Sequence, residues 1–322
     1  VVAVSVFVLI YLALTFANLS LGALGVFLFA MFRLGPKVSA LNSQFYQIEN
    51  DLPHLVRTLR FIDELDEHEE PNEPTIEVPE EIECVEFDDV QFSYGDEQVL
   101  RGIDFEVEKG EFVGFVGQSG AGKSTIVSLL ARMYEVDEGE IRANGHPIDE
   151  MDIGEWRDRL SVVRQNPFIF NDTLRYNLTI GNRDVSDAEL DRVCEIAKVD
   201  EFMDDLPEGY DTILGDEGVR LSGGQKQRVA LARSLVEDAD LLILDEATSD
   251  LDSNLEKQVQ EAIERMERDY AIVTIAHRLS TVKNADRIYT VEDGRITETG
   301  THSELVDRGG KYAELYGIQS SE

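Results

Sequence analysis

The residues from Gly117 to Thr125 read Gly-Gln-Ser-Gly-Ala-Gly-Lys-Ser-Thr and fit the spacing GxxxxGK[ST]. Gly117, Gly120 and Gly122 let the backbone curl through Ser119 and Ala121, so that consecutive N–H groups face a polyphosphate. The helix expected after the loop presents its positive N-terminal end to the same anion. Lys123 would neutralise the β- and γ-phosphates, Ser124 would bind Mg²⁺ through its hydroxyl, and Thr125 completes the pattern. A plain glycine-rich turn is the competing reading, and composition produces this pattern in roughly one chain of this length in a hundred. A second group of candidates ends the run Leu241-Leu-Ile-Leu-Asp245-Glu246. A buried strand would carry Asp245 to its carboxyl edge, where it can hold Mg²⁺ directly or through water. Glu246 would then polarise a water attacking the γ-phosphate. Taken alone, such a run is often just a buried strand ending in an acidic turn.

These residues need a scaffold, and the hydrophobic pattern supplies one. From about Ile82, the pairs Val85/Phe87 and Ile103/Phe105/Val107 alternate with polar neighbours, which predicts half-buried antiparallel strands. Apolar runs at Phe112–Val116, Leu160–Val163, Leu241–Leu244 and Ala271–Ala276 predict buried strands, with helical stretches such as Ala188–Ala197 and Val229–Val236 between them. Strands alternating with helices imply an α/β fold with a mainly parallel sheet, whose ligands bind at the carboxyl ends of the strands.

Composition narrows the function class. The chain holds 65 Asp and Glu against 29 Lys and Arg, a formal charge of −36. Such a surface repels nucleic acid, whose binding needs clustered Lys and Arg. With 43% hydrophobic residues the acidity does not signal disorder, and it suits a protein of a high-salt, halophilic cytosol. An acidic interaction surface is the alternative. Cys84 and Cys194 are too few for a disulfide framework or a zinc site.

The first 32 residues, Val1 to Phe32, contain no charge. As a single helix they would be roughly 48 Å long, well beyond a hydrocarbon core of about 30 Å. Asn18, Ser20 and Gly22 interrupt the run, so the expectation is the end of one spanning helix, a short external turn and a second spanning helix from about Leu21. One long tilted helix is the alternative. Arg33 and Lys37 follow directly and place that end in the cytoplasm. Apolar spacing resumes from Leu41 to Leu55, as if the helix continued beyond the membrane. The chain opens on Val1, which reads as a fragment lacking earlier membrane helices. Residues 66–81 are acidic and proline-interrupted, predicting a solvated linker between a membrane part over 1–65 and a globular domain over 82–322.

Leu221-Ser222-Gly223-Gly224-Gln225, ahead of a helical stretch, resembles the signature of the ABC ATPase family. It offers a serine hydroxyl and glycine amides at a helix N-terminus, a second phosphate-binding surface. The resemblance implies that this surface completes the ATP site of a partner domain and not its own. It also implies an ABC-type P-loop NTPase with a mainly parallel core, an antiparallel β subdomain and a helical signature subdomain, preceded by transmembrane helices. Tyr94 in Phe-Ser-Tyr-Gly resembles the family's adenine-stacking aromatic. Gln165, after the strand Leu160–Val163, resembles its Mg²⁺-sensing glutamine, and His277 its γ-phosphate histidine. Ser249-Asp-Leu-Asp252 is similar to the loop that crosses the dimer interface, and Gly215–Gly218 to the acidic segment of exporters. His54, His68, His146 and His302 match no motif and read as surface residues, and Trp156 reads as a core or interface anchor.

The resemblance spans residues 80–320. It implies an exporter-type half-transporter, multi-pass in the cell membrane among its lipids, with the nucleotide domain in the cytoplasm. ATP and Mg²⁺ would be its cofactors, and an unidentified substrate its cargo. Its partner would be a second copy or a different half-transporter. A soluble ABC ATPase, an ATP-gated channel or regulator, and an importer subunit are the competing readings. Family half-transporters carry six spans before the nucleotide domain, more than this chain contains.

Overall fold

The computed structural model describes residues 7–8, 10–12, 15, 21–66, 72, 74–182, 184–215, 218–237, 239–248, 250–264, 270–276 and 278–319. Two compact units divide the chain, Val1–Pro71 and Asn72–Glu322.

In the first unit, one helix runs Leu21–Asp66 through Pro36 and Pro53. A helix is indeed found from Leu21, as expected. The expected turn at residues 18–20 lies outside the described residues. Among the described residues, no helix is long and apolar enough to cross a membrane, and most of residues 1–20, where the first spanning helix is expected, lie outside them. Arg33 and Lys37 interrupt the apolar stretch of this helix, and residues beyond Lys37 return to mixed polarity.

The second unit contains two sheets. Strands β1 (Cys84–Tyr94), β2 (Glu97–Glu108), β4 (Glu138–Ala143) and β5 (His146–Pro147) form an antiparallel sheet in the order β2-β1-β4-β5. The larger sheet has the order β10-β9-β3-β8-β7-β6. Its strands are β3 (Phe112–Val116), β6 (Leu160–Val163), β7 (Leu241–Asp245), β8 (Ala271–Ile275), β9 (Arg287–Glu292) and β10 (Arg295–Gly300). All its pairings are parallel except that of β10, an antiparallel edge strand.

Period-two geometry explains why the central strands are apolar on successive residues, since both faces of the sheet are covered. On β7, Leu242 and Leu244 enter the core shared with the helices, while Leu241 and Ile243 enter the core shared with the antiparallel sheet. Phe112 and Val116 of β3 likewise face one core, and Val113 and Phe115 the other. Gly114 lies between them where a Cβ would sit 2.5 Å from Val282, so a helix-side segment can pack flush against the strand. Trp156 is fully buried with its indole N–H donating to the Leu130 carbonyl at 2.8 Å, a core anchor.

The boundary between the two units, at Pro71/Asn72, falls inside the acidic segment 66–81. Asn72 accepts from the Ile153 amide and donates to Asp152, and the Thr75 and Ile76 amides donate to the Glu150 carbonyl, so part of the acidic segment is bound to the domain. His302 is no plain surface residue: its Nδ1 lies 2.7 Å from the Tyr312 hydroxyl, and burial pulls its pKa down.

Candidate functional site

Parallel pairing in register brings the site together. Phe115 and Asp245 are both paired with Ile275, so β3, β7 and β8 end side by side at their carboxyl edges. The loop after β3 then turns through Gly117, Gly120 and Gly122, all at positive φ. At two of these, glycine is also sterically required. A Cβ on Gly117 would lie 2.2 Å from the Val291 carbonyl, and one on Gly122 2.6 Å from Leu100. Gly122 opens the helix Lys123–Leu130 in left-handed geometry without any side-chain cap, so no side chain occupies the first turn's amides.

Lys123 is buried, and its ammonium donates to the carbonyls of Gly117 and Gln118 at 2.9 Å each. Burial pulls its pKa down, while the charges of Glu246 and Asp245 hold it up. Ser124 is exposed at the loop's mouth, and its hydroxyl donates to Asp245 Oδ1 at 3.3 Å. Burial pushes the Asp245 carboxyl above the usual range, with the Ser124 hydrogen bond acting against it and the Glu246 charge reinforcing it. A hydroxyl and a carboxylate this close are hard oxygen donors suited to Mg²⁺, which takes one or two carboxylates and completes its octahedron with water and phosphate. Among the described residues no group of three or more His, Cys, Asp or Glu could hold a metal ion. Were Mg²⁺ bound here, the Ser124 hydroxyl and the Asp245 carboxylate would be donors of the right chemistry. Ser119 and Gly120 are exposed, and Ala121 and Thr125 are buried beneath the loop.

Glu246 leaves the end of β7 at φ 51, a left-handed conformation rare for a residue with a Cβ. Its amide donates to the Ile275 carbonyl at 3.2 Å, which anchors that turn. The side chain lines a cavity of about 350 Å³ together with Gln165, Thr248, Asp250, Glu256 and Arg278. Gln165 and Glu246 thus line the same cavity. Tyr94, 42% exposed, stands at the end of β1 with edge-on contacts to Phe92 and Tyr134 at 4.8 and 5.1 Å.

The signature residues occupy another place. Ser222 caps the helix Gly223–Val236 in a reciprocal box: its hydroxyl accepts from the Gln225 amide, and Gln225 Oε1 accepts from its own amide. Ser222, Gly223 and Gly224 line a separate cavity of about 480 Å³ with Arg228 and Asp252, and no residue of the Gly117–Thr125 loop lines it. Within one chain the two glycine-rich segments therefore do not share a cavity. Asp252 also caps the helix Ser253–Glu264, accepting from the amides of Asn254 and Leu255 at 3.1 Å. His277, Ser249, Asp216 and Glu217 lie outside the described residues.

Three residues went unnoticed in the sequence. Tyr134 packs on Tyr94. Glu256 is 5% exposed, pairs with Arg278 at 2.5 Å and accepts from Thr248 at 3.1 Å. Gln227, 1% exposed, bonds the backbones of both Gln165 and Asp250. For Gln227, a polar residue at the start of the helical stretch after Gln225 was the available signal; for Glu256 there was none, since no helix was predicted over Ser253–Glu264.

Residues 100–249 match the ABC transporter family. The chain is 48% identical over 238 residues to an ATP-dependent lipid A-core flippase of Alkalilimnicola ehrlichii, covering 73% of this chain and 40% of that one. It is 40% identical over 307 residues to the flippase of the same name from Chromobacterium violaceum, covering 95% and 52%. Among solved structures, a bacterial Atm1-family ABC exporter with ATP bound superposes with a TM-score of 0.77 at 37% identity, over 91% of this chain and 51% of that one. The chain spans about half the length of the relatives it matches.

Proposed function

The nucleotide-binding part of this chain belongs to the ABC transporter family, and we propose that it hydrolyses ATP to drive export by a half-transporter. The observation that carries this reading is the convergence of Lys123, Ser124, Asp245 and Glu246 at neighbouring strand ends, with the signature residues in a separate cavity. A phosphate-binding surface that cannot reach its own loop is suited to complete the site of a second domain.

In this reading the loop amides and Lys123 hold the triphosphate, and Tyr94 stacks on the base. Mg²⁺, when bound by Ser124 and Asp245, neutralises charge on the β- and γ-phosphates. Glu246 accepts the proton of a water whose oxygen bonds to the γ-phosphorus as the bond to the β-phosphate oxygen breaks. ADP and phosphate leave. Gln165 faces the same cavity and orients the water or the ion. His277 is assigned to the γ-phosphate by its sequence position alone.

Two such domains pair head to tail, as a homodimer or with a different half-transporter, so that ATP favours the closed pair by touching both partners. The membrane location, with the nucleotide domain in the cytoplasm, is supported by the names of the relatives and by the uncharged stretch Val1–Phe32. Relatives named as lipid A-core flippases make an amphipathic glycolipid the first cargo class to test. The test of the core reading is ATP turnover by the wild type against Glu246→Gln, with nucleotide binding measured in parallel. Equal turnover in both would overturn it.

A further inference from the structure

One buried amide side chain ties together three segments of the site. Gln227 lies one turn into the helix Gly223–Val236 and is 1% exposed. Its Nε2 donates to the Gln165 carbonyl at 3.1 Å, and its Oε1 accepts from the Asp250 amide at 3.0 Å. Gln165 and Asp250 belong to different loops, after β6 and β7, and both line the cavity that holds Glu246. Asp250 also lines the signature cavity and is the residue that Gly223 approaches most closely, where a Cβ would lie 2.6 Å from its carboxylate.

The chemistry of the amide is specific to this task. The side-chain amide of Asn or Gln carries a donor and an acceptor on one planar group without titrating, and Gln has the longer reach. A hydrophobic residue of the same size would fill the space but leave a carbonyl and an amide without this partner. A carboxylate would keep the bond to the Asp250 amide and set an oxygen against the Gln165 carbonyl. Because the helix begins at Ser222, a shift of the signature residues displaces both loops unless these bonds break.

We infer that Gln227 is a positioning residue for hydrolysis: it locks the Gln165 loop and the Asp250 loop to the signature helix, so that occupation of the signature surface sets the geometry around Glu246. It touches no reacting atom. The inference rests on the ATPase reading above.

The experiment compares wild type, Gln227→Glu and Gln227→Met as full chains, measuring kcat and KM for ATP from pH 6 to 8. Binding stoichiometry for a fluorescent ATP analogue is measured in parallel. Burial raises the pKa of a carboxyl introduced there, and its protonated form can donate to the Gln165 carbonyl as the amide does. Gln227→Glu should lose kcat at least tenfold at pH 8 and recover most of it, relative to wild type, at pH 6, with KM changed less than threefold. Gln227→Met should lose kcat equally at both pH values while binding one nucleotide per chain.

A wild-type kcat in Gln227→Met, or a loss in both variants that matches their loss of nucleotide-binding chains, overturns the inference and leaves the ATPase reading intact. If Gln227→Glu fails to fold, the kcat of Gln227→Met at full binding stoichiometry decides alone. Absence of turnover in the wild type overturns the ATPase reading and this inference with it, and is separable because it appears before any substitution.

Discussion

The hydroxyl of Ser124 and the carboxylate of Asp245 stand 3.3 Å apart across 121 residues of sequence. One opens the helix after β3, and the other closes β7, two strands away in the sheet order β3-β8-β7. Neither alone would hold a divalent ion firmly. Together with phosphate oxygens they make the mixed oxygen environment that Mg²⁺ prefers.

Asp245→Asn should therefore raise the Mg²⁺ concentration for half-maximal ATP turnover by about tenfold or more. Nucleotide binding in the absence of metal should be little affected. A Mg²⁺ titration of ATPase rate, beside binding in EDTA, reads both. An unchanged Mg²⁺ requirement would remove Asp245 from the metal site.

Glu246→Gln keeps the shape of the side chain and its turn at the end of β7. It removes the group that accepts a proton, so turnover should fall by about 10²–10⁴-fold. The dissociation constant for ATP should stay within about twofold. Single-turnover hydrolysis and equilibrium binding on the same preparation check the split.

Ser222→Arg should block pairing from across the interface while leaving the chain's own Gly117–Thr125 loop intact. Mixing it with Lys123→Ala should restore no more than one of the two sites in a pair. Full activity in Ser222→Arg alone would mean that each domain hydrolyses ATP without its neighbour's signature.

Glu256 is buried between Thr248 and Arg278, close to Glu246 in the same cavity. Glu256→Ala strips both partners of a charged acceptor and should cost about 1.5–3 kcal/mol. In a domain of this size that is a fall of several degrees in Tm, on the order of 2–4 °C per kcal/mol. Thermal melts of the two proteins measure it. Arg278→Gln should recover little of the loss, since Arg278 is half exposed and adaptable.

The charge of −36 makes a further prediction. Self-repulsion of the exposed carboxylates weakens the compact state at low salt, and salt screens it. Raising KCl from 0.1 to 2 M should raise the Tm. A flat or falling Tm would dissociate the acidic surface from salt adaptation.

The local chemistry was legible in the sequence because it resides in short contiguous patterns. Gly117–Thr125 needs glycines at fixed offsets for the backbone to curl, and no distant contact changes that need. The buried strands announced themselves because a sheet covered on both faces is apolar on successive residues, as β7 is over Leu241–Leu244 and β8 over Ala271–Val273. The signature segment, with Ser222 and Gln225 capping a helix start, is likewise local.

What the tertiary structure decided is which of these patterns meet. Strand order is a non-local outcome: β3 lies next to β8 and β9, and β7 between β8 and β6, and that order sets Ser124 against Asp245 and brings Glu246 and Gln165 to one cavity. Gln227 and Glu256 were invisible for the same reason. A buried polar side chain is defined by its partners, and those partners are backbone atoms and side chains 8 to 62 residues away. The separation of the Ser222 cavity from the Gly117–Thr125 loop is also a matter of packing, because the signature helix rests on Asp250 and Leu251 and not on the loop after β3.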